Sequence, residues 1–364
     1  MYLIRMNYKK QSFISLKLLF LLAYFVFAIV FLYIVASPYL EAGDLNAPKL
    51  FPDSITYQYI CQGMLNRDDF YWIRDAGPCL EVVSFGDKYF IVFLFNSLLI
   101  SLTIKTLAHN YSLRLSSVAF FVLINPITFL SLFSINKEVF SIYAIGLTLS
   151  FLKSHKFKYV LFAIFFAAMA RLPLLLVILI FFTMFLLAKT IPNFLKLKIG
   201  KFAGFLILMS VASFVRILMG DSIAFDVLGD FGNDIDISIS TLLSLKIEGL
   251  AHVGLYAVVY LIRLLINLFG AIPNLFYATL QTHGVYYFIG VIGSSLIFLL
   301  YGVLGAASRF RRISSLPERF WIANLFLVYT MIFCISPVIQ HRYFYPLLPI
   351  FVIAIAAKNA PRIY

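Results

Sequence analysis

The sequence predicts an all-α fold, a polytopic bundle of transmembrane helices. Of its 364 residues, 62% are hydrophobic and 12% are charged, whereas a soluble domain has roughly 45–50% apolar and 25% charged residues. The mean hydropathy is +0.97. With so few charges to face water, the lipid bilayer must be the main solvent. Because lipid cannot satisfy backbone polar groups, the chain must be helical wherever it crosses.

Ten apolar runs approach the roughly 20 residues that a helix needs to cross the hydrocarbon core. They are 16–37, 89–108, 116–134, 138–152, 157–170, 172–188, 202–219, 284–306, 319–338 and 343–357. The shorter runs can cross only with flanking Lys, Arg, Tyr or Phe residues at the interface. The first run follows basic residues, as in a signal peptide. Signal peptides carry a shorter apolar stretch followed by a small-residue cleavage site, so we interpret this run as an uncleaved first span.

The distribution of charge predicts the orientation. If both termini are cytoplasmic, the inner segments hold nineteen basic residues and one acid, Glu318, while the outer segments hold ten basic residues and fifteen acids. Short cytoplasmic loops carry an excess of Lys and Arg in membrane proteins, so this arrangement satisfies the positive-inside rule. Any chemistry that needs carboxylates is therefore expected at the outer face.

The apolar stretch 249–270 does not fit the predicted topology as one further span. A single crossing by residues 249–270 would place the basic residues at 309–312 outside. Residues 249–283 are therefore expected to lie along the outer interface, to re-enter and return, or to hide two crossings, which would make twelve spans. Arg263 within the run and Pro273 after it favour a broken or interfacial helix, because an unpaired Arg at mid-bilayer is costly.

The predicted single transmembrane domain, 1–364, has two long outer loops, 38–88 and 220–283. Loops longer than about 12–15 residues are often functional. In the first loop, Pro52-Asp53-Ser54 predicts the start of a short helix, with Asp53 and Ser54 as capping residues. Cys61 and Cys79 follow in the same loop. On an oxidising face they can form a disulfide; the alternative is two unpaired, partly buried thiols.

The candidate site residues are ionisable groups at the outer membrane edge, where such groups are functional candidates by default. They are Asp53, Lys137, Glu138, Arg171, Arg263, His341 and Arg342, with Tyr345 nearby in the sequence. Simpler alternatives stay open: Asp53 only caps a helix, Lys137 and Glu138 form an interfacial ion pair, and Arg171 or Arg342 extends to lipid headgroups.

Several function classes lack their characteristic motifs. The sequence has no G-x-x-x-x-G-K-[ST] loop, no H-E-x-x-H and no Cys/His cluster at zinc spacing, which argues against an ATP-driven pump and an intramembrane zinc protease. No cofactor is required by any motif, and a divalent cation is left open. Arg171, Arg263, Arg342 and Lys137 suit contact with a lipid diphosphate. A carboxylate such as Asp53 can serve as a base for an acceptor hydroxyl.

Four short motifs carry a resemblance to a known superfamily. They are Pro52-Asp53-Ser54, Asn136-Lys137-Glu138, Arg171-Leu172-Pro173 and the segment from Gln340 to Pro349, His341-Arg342-Tyr343-Phe344-Tyr345-Pro346 at its centre. With the N-in first span and the long first outer loop, this layout resembles GT-C-type membrane glycosyltransferases, including bacterial O-antigen and capsule repeat-unit polymerases. An Arg-x10-Gly pattern that some of those polymerases carry is absent, since Phe182, Val227 and Asn274 stand at the corresponding positions.

The resemblance implies transfer of a sugar or oligosaccharide from a polyprenyl-phosphate or polyprenyl-diphosphate carrier at the outer face of a bacterial inner membrane. In GT-C enzymes an acid of the first outer loop commonly acts as the base, a role that maps onto Asp53. The implied partners are the lipid-linked glycan, membrane lipids and a polysaccharide chain-length regulator, with no nucleic acid. The alternatives are a single-sugar transferase and a lipid-linked-sugar flippase. A flippase would need polar residues deep within several spans.

Overall fold

The computed structural model describes most of the chain from the first apolar run onward. The described residues are 19–42, five of those between 54 and 61, 76–86, 88–190, 256–269, 290 and 292–308, 316–335 and 341–356. The predicted run 202–219 and Asp53 lie outside the described residues.

Every regular element in this part of the chain is helical, so the all-α prediction is confirmed there. The helices are α1 Leu19–Glu41, α2 Ala76–Phe85, α3 Tyr89–Asn110, α4 Leu115–Leu123, α5 Pro126–Phe133, α6 Glu138–Ser154, α7 Phe157–Ala170, α8 Leu172–Thr190, α9 Tyr256–Phe269, α10 Gly293–Ser308, α11 Arg319–Ile335, a 3₁₀ segment His341–Leu347, and α12 Leu348–Ala356. Helical residues Ser54, Ile55, Tyr57, Gln58 and Cys61 lie in the region where a short helix is predicted.

Three of the described helices, α1, α3 and α8, are long and apolar enough to cross a membrane, and a bent pair would make a fourth. They correspond to the runs predicted at 16–37, 89–108 and 172–188. The other described helices are shorter; α6 has 17 residues and therefore rises about 25 Å. The described part is thus compatible with a helical membrane protein.

The run 116–134 is not one continuous helix, and it corresponds to the bent pair. It forms α4 and α5, whose axes differ in direction by 81°. The break lies at Asn125, because Pro126 lacks an N–H donor and disfavours helical backbone in the residue before it. Asn125 is extended (φ −72°, ψ 123°), and its side chain accepts a hydrogen bond from the Ile127 N–H. Its Nδ2 also donates to Ser294 Oγ of α10 at 3.0 Å.

The last run also departs from a single helix. Residues 343–347, expected as part of the final span, belong to the 3₁₀ segment, and only Leu348–Ala356 is α-helical. Pro346 and Pro349 lie in this region, and each removes a backbone N–H donor from the helix. The 3₁₀ segment packs beside α6 and α11, and α12 follows it directly.

The helical hairpins give the bundle two ends. Helices α6 and α7 are joined by only two residues, His155 and Lys156, so they run antiparallel, and α8 runs parallel to α6. We call the end where α6 begins and α7 finishes the Glu138 end, and the opposite one the Lys153 end. At the latter, Lys153 Nζ lies 3.1 Å from Glu318 Oε1 at the start of α11. The larger of two buried apolar clusters extends along the described chain, from Ala28 to Ile355. The smaller one joins α2 to the start of α3 and to the turn before α6, and it contains Tyr57, Cys61, Cys79, Val82, Val92 and Ile135.

Candidate functional site

The turn between α5 and α6, residues 134–138, is organised by the side chain of Asn136. Its Nδ2 donates to the backbone oxygens of Ser131 at 2.8 Å and Ser134 at 2.6 Å. Its Oδ1 accepts from the N–H groups of Glu138 at 2.9 Å and Val139 at 3.1 Å. A helix leaves its last carbonyls and first N–H groups without intrahelical partners. The Asn136 side chain therefore caps both the C-terminus of α5 and the N-terminus of α6.

A second buried amide holds the same turn from α3. Asn96 Nδ2 donates to the backbone oxygens of Ser131 at 3.1 Å and Ser134 at 3.0 Å. Asn96 is fully buried, so its hydrogen bonds are formed away from water, where an unsatisfied carbonyl would be costly. Together, Asn96 and Asn136 fix the position at which Glu138 starts α6.

Glu138 forms an ion pair with Arg171. The Arg171 Nη2 and Glu138 Oε1 atoms are 3.2 Å apart, and the two side chains are only 10% and 4% exposed. Arg171 is the single extended residue between α7 and α8. A carboxylate at the start of α6 and a cation at the end of α7 both complement the helix dipoles. The predicted lipid-exposed alternative for Arg171 is thereby wrong, because the residue is buried in protein.

Tyr343 of the 3₁₀ segment covers this ion pair. The Arg171 guanidinium carbon lies 4.9 Å from the centre of the Tyr343 ring, within the range of a cation–π contact. The backbone oxygen of Tyr343 accepts a hydrogen bond from the Tyr329 hydroxyl of α11. The 3₁₀ segment is therefore held against the Glu138–Arg171 pair by two separate contacts.

The first predicted loop reaches the same turn. Ser54 Oγ donates to the backbone oxygen of Ile135 at 3.1 Å, and Lys137 Nζ lies 5.2 Å from the centre of the Tyr57 ring. Of the two alternatives for the loop cysteines, the structure has the Cys61–Cys79 disulfide. That bond joins the segment containing Ser54 and Tyr57 to α2.

Helix α2 carries an acid that the sequence analysis did not select. Glu81 is completely buried, and neither carboxyl oxygen has a hydrogen bond of ordinary geometry within the described part of the chain. Burial raises the pKa of Glu81 well above the usual range of a carboxyl, and the nearby backbone N–H of Asn136 lowers that pKa by a smaller amount. Glu81 therefore keeps a proton at pH values where an ordinary glutamate has lost it.

Arg263 lies in α9 and is completely buried. Its Nη1 donates to the backbone oxygen of Cys334 at 3.3 Å, one of the last carbonyls of α11. A cation is favourable at a helix C-terminus, so Arg263 stabilises the end of α11. Near it, the hydroxyls of Tyr260 and Thr330 are 2.7 Å apart. Over Tyr256–Phe269 the chain forms one helix without a break, with Arg263 turned into protein and Val258, Leu261 and Leu265 exposed.

The structure brings together only part of the predicted site. Lys137, Glu138 and Arg171 meet at the Glu138 end, whereas Tyr345 is buried and shares a 2.8 Å hydrogen bond with Thr128 of α5. Asp53 and the side chains of His341 and Arg342 lie outside the described residues. No group of three or more acids, histidines or cysteines able to hold a metal ion occurs among the residues that the structure describes.

Sequence reasoning missed four contributors to this site: Tyr343, Asn96, Asn136 in its capping role, and Glu81. Asn96 and Glu81 each carried a usable signal, since a lone polar side chain within an apolar stretch is either paired or functional. The contribution of Tyr343 had no such signal, because it depends on a contact between distant segments.

The charges of Lys137, Glu138 and Arg171 determine what the Glu138 end can do chemically. Glu138 already compensates Arg171, and Arg263 contacts a helix end, so neither buried arginine presents an uncompensated charge to solvent. Lys137 is half-buried and lies at the rim of the same turn. The Glu138 end therefore has a buried ion pair whose charges compensate each other, and one cation, Lys137, at its rim.

Comparisons with known proteins add no relative, because the chain matches no protein-family model, no curated protein and no solved structure. Its function must therefore be argued from the chemistry of the Glu138 end.

Proposed function

We propose that this protein transfers a sugar or oligosaccharide from a polyprenyl-phosphate or polyprenyl-diphosphate carrier at the outer face of a bacterial inner membrane, as an O-antigen or capsule repeat-unit polymerase. One observation carries the proposal: Glu138, Arg171 and Tyr343 are in contact. Each belongs to a different motif of the resemblance to GT-C-type glycosyltransferases. The neighbour of Asp53, Ser54, contacts the same turn.

The proposed topology has ten spans, with both termini cytoplasmic and the Glu138 end at the outer face. Lys153 pairs with the single predicted inner acid, Glu318, which supports assigning the opposite end of α6 to the cytoplasm. Arg263 contacts the C-terminal end of α11, on the side where the 3₁₀ segment begins. This contact supports a 249–283 segment that begins and ends at the outer face. Such a segment leaves the basic residues at 309–312 on the cytoplasmic side.

In the proposed reaction, different motif residues accept the proton and bind the leaving group. The acceptor hydroxyl oxygen attacks the anomeric carbon of the donor sugar, its proton passes to Asp53, and the bond from that carbon to the phosphate oxygen breaks. The leaving polyprenyl diphosphate is anionic and needs cations at the membrane edge. Lys137 and Arg342 supply them, and the Glu138–Arg171 pair fixes the turn that carries Lys137.

The test is polymer synthesis by cells or membranes that contain single variants. We expect Asp53→Asn, Arg171→Ala and Arg342→Gln each to abolish the polymer ladder on a gel when membranes with equal amounts of the protein are compared, since Arg171→Ala also breaks the buried pair with Glu138 and lowers stability. Lys153→Gln, which breaks a half-exposed pair at the opposite end, is the matched control and should leave the ladder intact. Full activity in all three site variants would refute the assigned roles.

The single-sugar alternative differs in its product. A defined lipid-linked repeat should give a ladder of many repeats with a polymerase and one discrete addition with a single-sugar transferase. A chain-length regulator, if it is a partner, should narrow the ladder without changing the rate of the first transfer.

A transporter of lipid-linked sugars is the second candidate, and the bend between α4 and α5 favours it. Broken helices near the bilayer midplane often line substrate sites in transporters, and Asn125 at this bend is buried and bonded to Ser294. Movement of a lipid-linked sugar across sealed vesicles without glycan elongation would support this candidate. Elongation by purified protein in detergent, where no compartments exist, would support the transferase.

A further inference from the structure

Glu81 has no counter-charge of the kind that a buried carboxylate requires among the residues that the structure describes. Its side chain is 0% exposed, and neither carboxyl oxygen makes a hydrogen bond of ordinary geometry within the described residues, although the Asn136 backbone N–H lies near enough to lower the pKa of the carboxyl slightly. Burying an ionised carboxylate without a counter-charge costs far more than burying a neutral one. The environment of Glu81 therefore favours the uncharged carboxylic acid.

The packing of α2 places this acid beside the site. Gly77 of α2 fits so closely against α7 that a Cβ atom there would lie 2.4 Å from the Met169 oxygen and 3.1 Å from a ring carbon of Phe140. Met169 and Phe140 are each two residues from a member of the Glu138–Arg171 pair. The neighbouring Asn136 N–H belongs to the turn that starts α6. Helix α2 thus lies across the ends of α6 and α7.

Within the part of the chain that the structure describes, none of the charged or titratable groups on the elements around α2 neutralises Glu81. They are Tyr57 beside the disulfide, Lys88 and Tyr89 at the start of α3, Lys137 and Glu138 at the start of α6, and Arg171 at the end of α7. Glu138 is paired with Arg171, and Lys137 lies over Tyr57. Burial and the Asn136 N–H are the influences that act on the Glu81 carboxyl.

We propose that Glu81 is a positioning residue that holds the 134–138 turn, and through it Glu138 and Arg171, as a neutral carboxylic acid. When Glu81 loses its proton, a buried negative charge forms between α2 and the turn, and the closed arrangement becomes less favourable. The site is therefore held most firmly at low pH and loosens as the pH rises. Only the consequence for catalysis depends on the proposed glycosyl transfer; the effect on the turn does not.

The sign of the stability effect follows from proton counting. Between the ordinary pKa of an unfolded glutamate and the raised pKa of folded Glu81, the folded state holds a proton that the unfolded state has released. In that interval each pH unit lowers the ratio of folded to unfolded protein by up to tenfold. A glutamine at position 81 keeps the shape and stays neutral, so this loss should disappear.

The first arm of the experiment measures unfolding of the full-length protein in detergent between pH 5 and 8. Relative to wild type, Glu81→Gln should have a shallower pH dependence and a higher melting temperature at pH 8, with the two proteins converging at pH 5. Glu41→Gln, a change at an exposed carboxyl of α1, should behave as wild type. An equal pH slope in wild type and Glu81→Gln would overturn the proposal.

The second arm follows amide hydrogen exchange in peptides that cover 134–140, comparing wild type and Glu81→Gln at the same pH so that intrinsic exchange rates cancel. At pH 8 the wild-type turn should exchange faster than the variant, and at pH 5 the two should match. The turn after α3, residues 111–114, should show no difference. Equal protection of the 134–140 peptides at pH 8 would contradict the proposal even if the protein has no glycosyltransferase activity.

Discussion

Breaking the Glu138–Arg171 pair from either side should cost much more stability than removing both charges together. Removing one partner of a buried ion pair costs about 3–5 kcal/mol, because the remaining charge loses its compensation. Replacing a buried pair by apolar residues is often neutral or stabilising. With side chains only 10% and 4% exposed, this pair belongs to the buried class.

The magnitudes come from a double-mutant cycle of Glu138→Leu, Arg171→Met and the double variant. We expect each single change to lower the free energy of unfolding by about 3–5 kcal/mol. The double variant should lie within roughly 2 kcal/mol of wild type, after loss of the cation–π contact with Tyr343. The coupling energy is then about 4 kcal/mol or more.

Unfolding can be followed in mixed micelles with increasing fractions of denaturing detergent. Trp321 is a suitable fluorescent reporter, since its ring lies 4.8 Å from that of Phe185 in the core. The control is the same cycle on Lys153 and Glu318, whose side chains are 36% and 13% exposed. There the coupling should be only about 0.2–1 kcal/mol. Additive effects of Glu138→Leu and Arg171→Met would refute the reasoning.

Two further predictions use the same unfolding measurement. Gly77→Ala should destabilise the protein by about 1–3 kcal/mol, because its Cβ would meet the Met169 backbone oxygen at 2.4 Å, and overpacking has costs of that order. Gly146→Ala, where the nearest contact is a Thr103 side-chain carbon at 3.1 Å, should stay within about 1 kcal/mol of wild type; equal losses would contradict the packing argument. Reducing the Cys61–Cys79 bond, which closes a separation of 18 residues, should lower stability by about 3 kcal/mol. An unchanged unfolding midpoint in reductant would contradict a stabilising role for this bond.

The helices that could be predicted are those whose apolar runs contain no proline or other helix-breaking residue near the middle. Tyr89–Asn110 and Leu172–Thr190 match runs predicted from hydropathy, since lipid and core both favour the same side chains. The bend in the 116–134 run was not predicted, because both halves of the run are apolar and hydropathy does not detect the bend. The Asn125-Pro126 dipeptide was the available signal, because such pairs favour turns.

The pairing within the site could not be predicted in the same way. Glu138 and Arg171 are 33 residues apart, and their contact depends on how α6 and α7 pack in register. Each residue was identifiable as an ionisable group at a helix end, which is a local property. Their contact, and the position of Tyr343 over it, depends on tertiary packing that no short motif encodes.

The same energetics give the strongest reason to look for function at this end of the bundle. An apolar pair at positions 138 and 171 would support the fold about as well as the ion pair does, so stability alone does not explain the charges. The Lys153–Glu318 pair at the opposite end is half-exposed and costs little to maintain. The buried pair lies instead beside Tyr343 and next to the turn held by Asn96 and Asn136. Such a cluster is rigid without adding stability, which is expected of residues that position a reactive site.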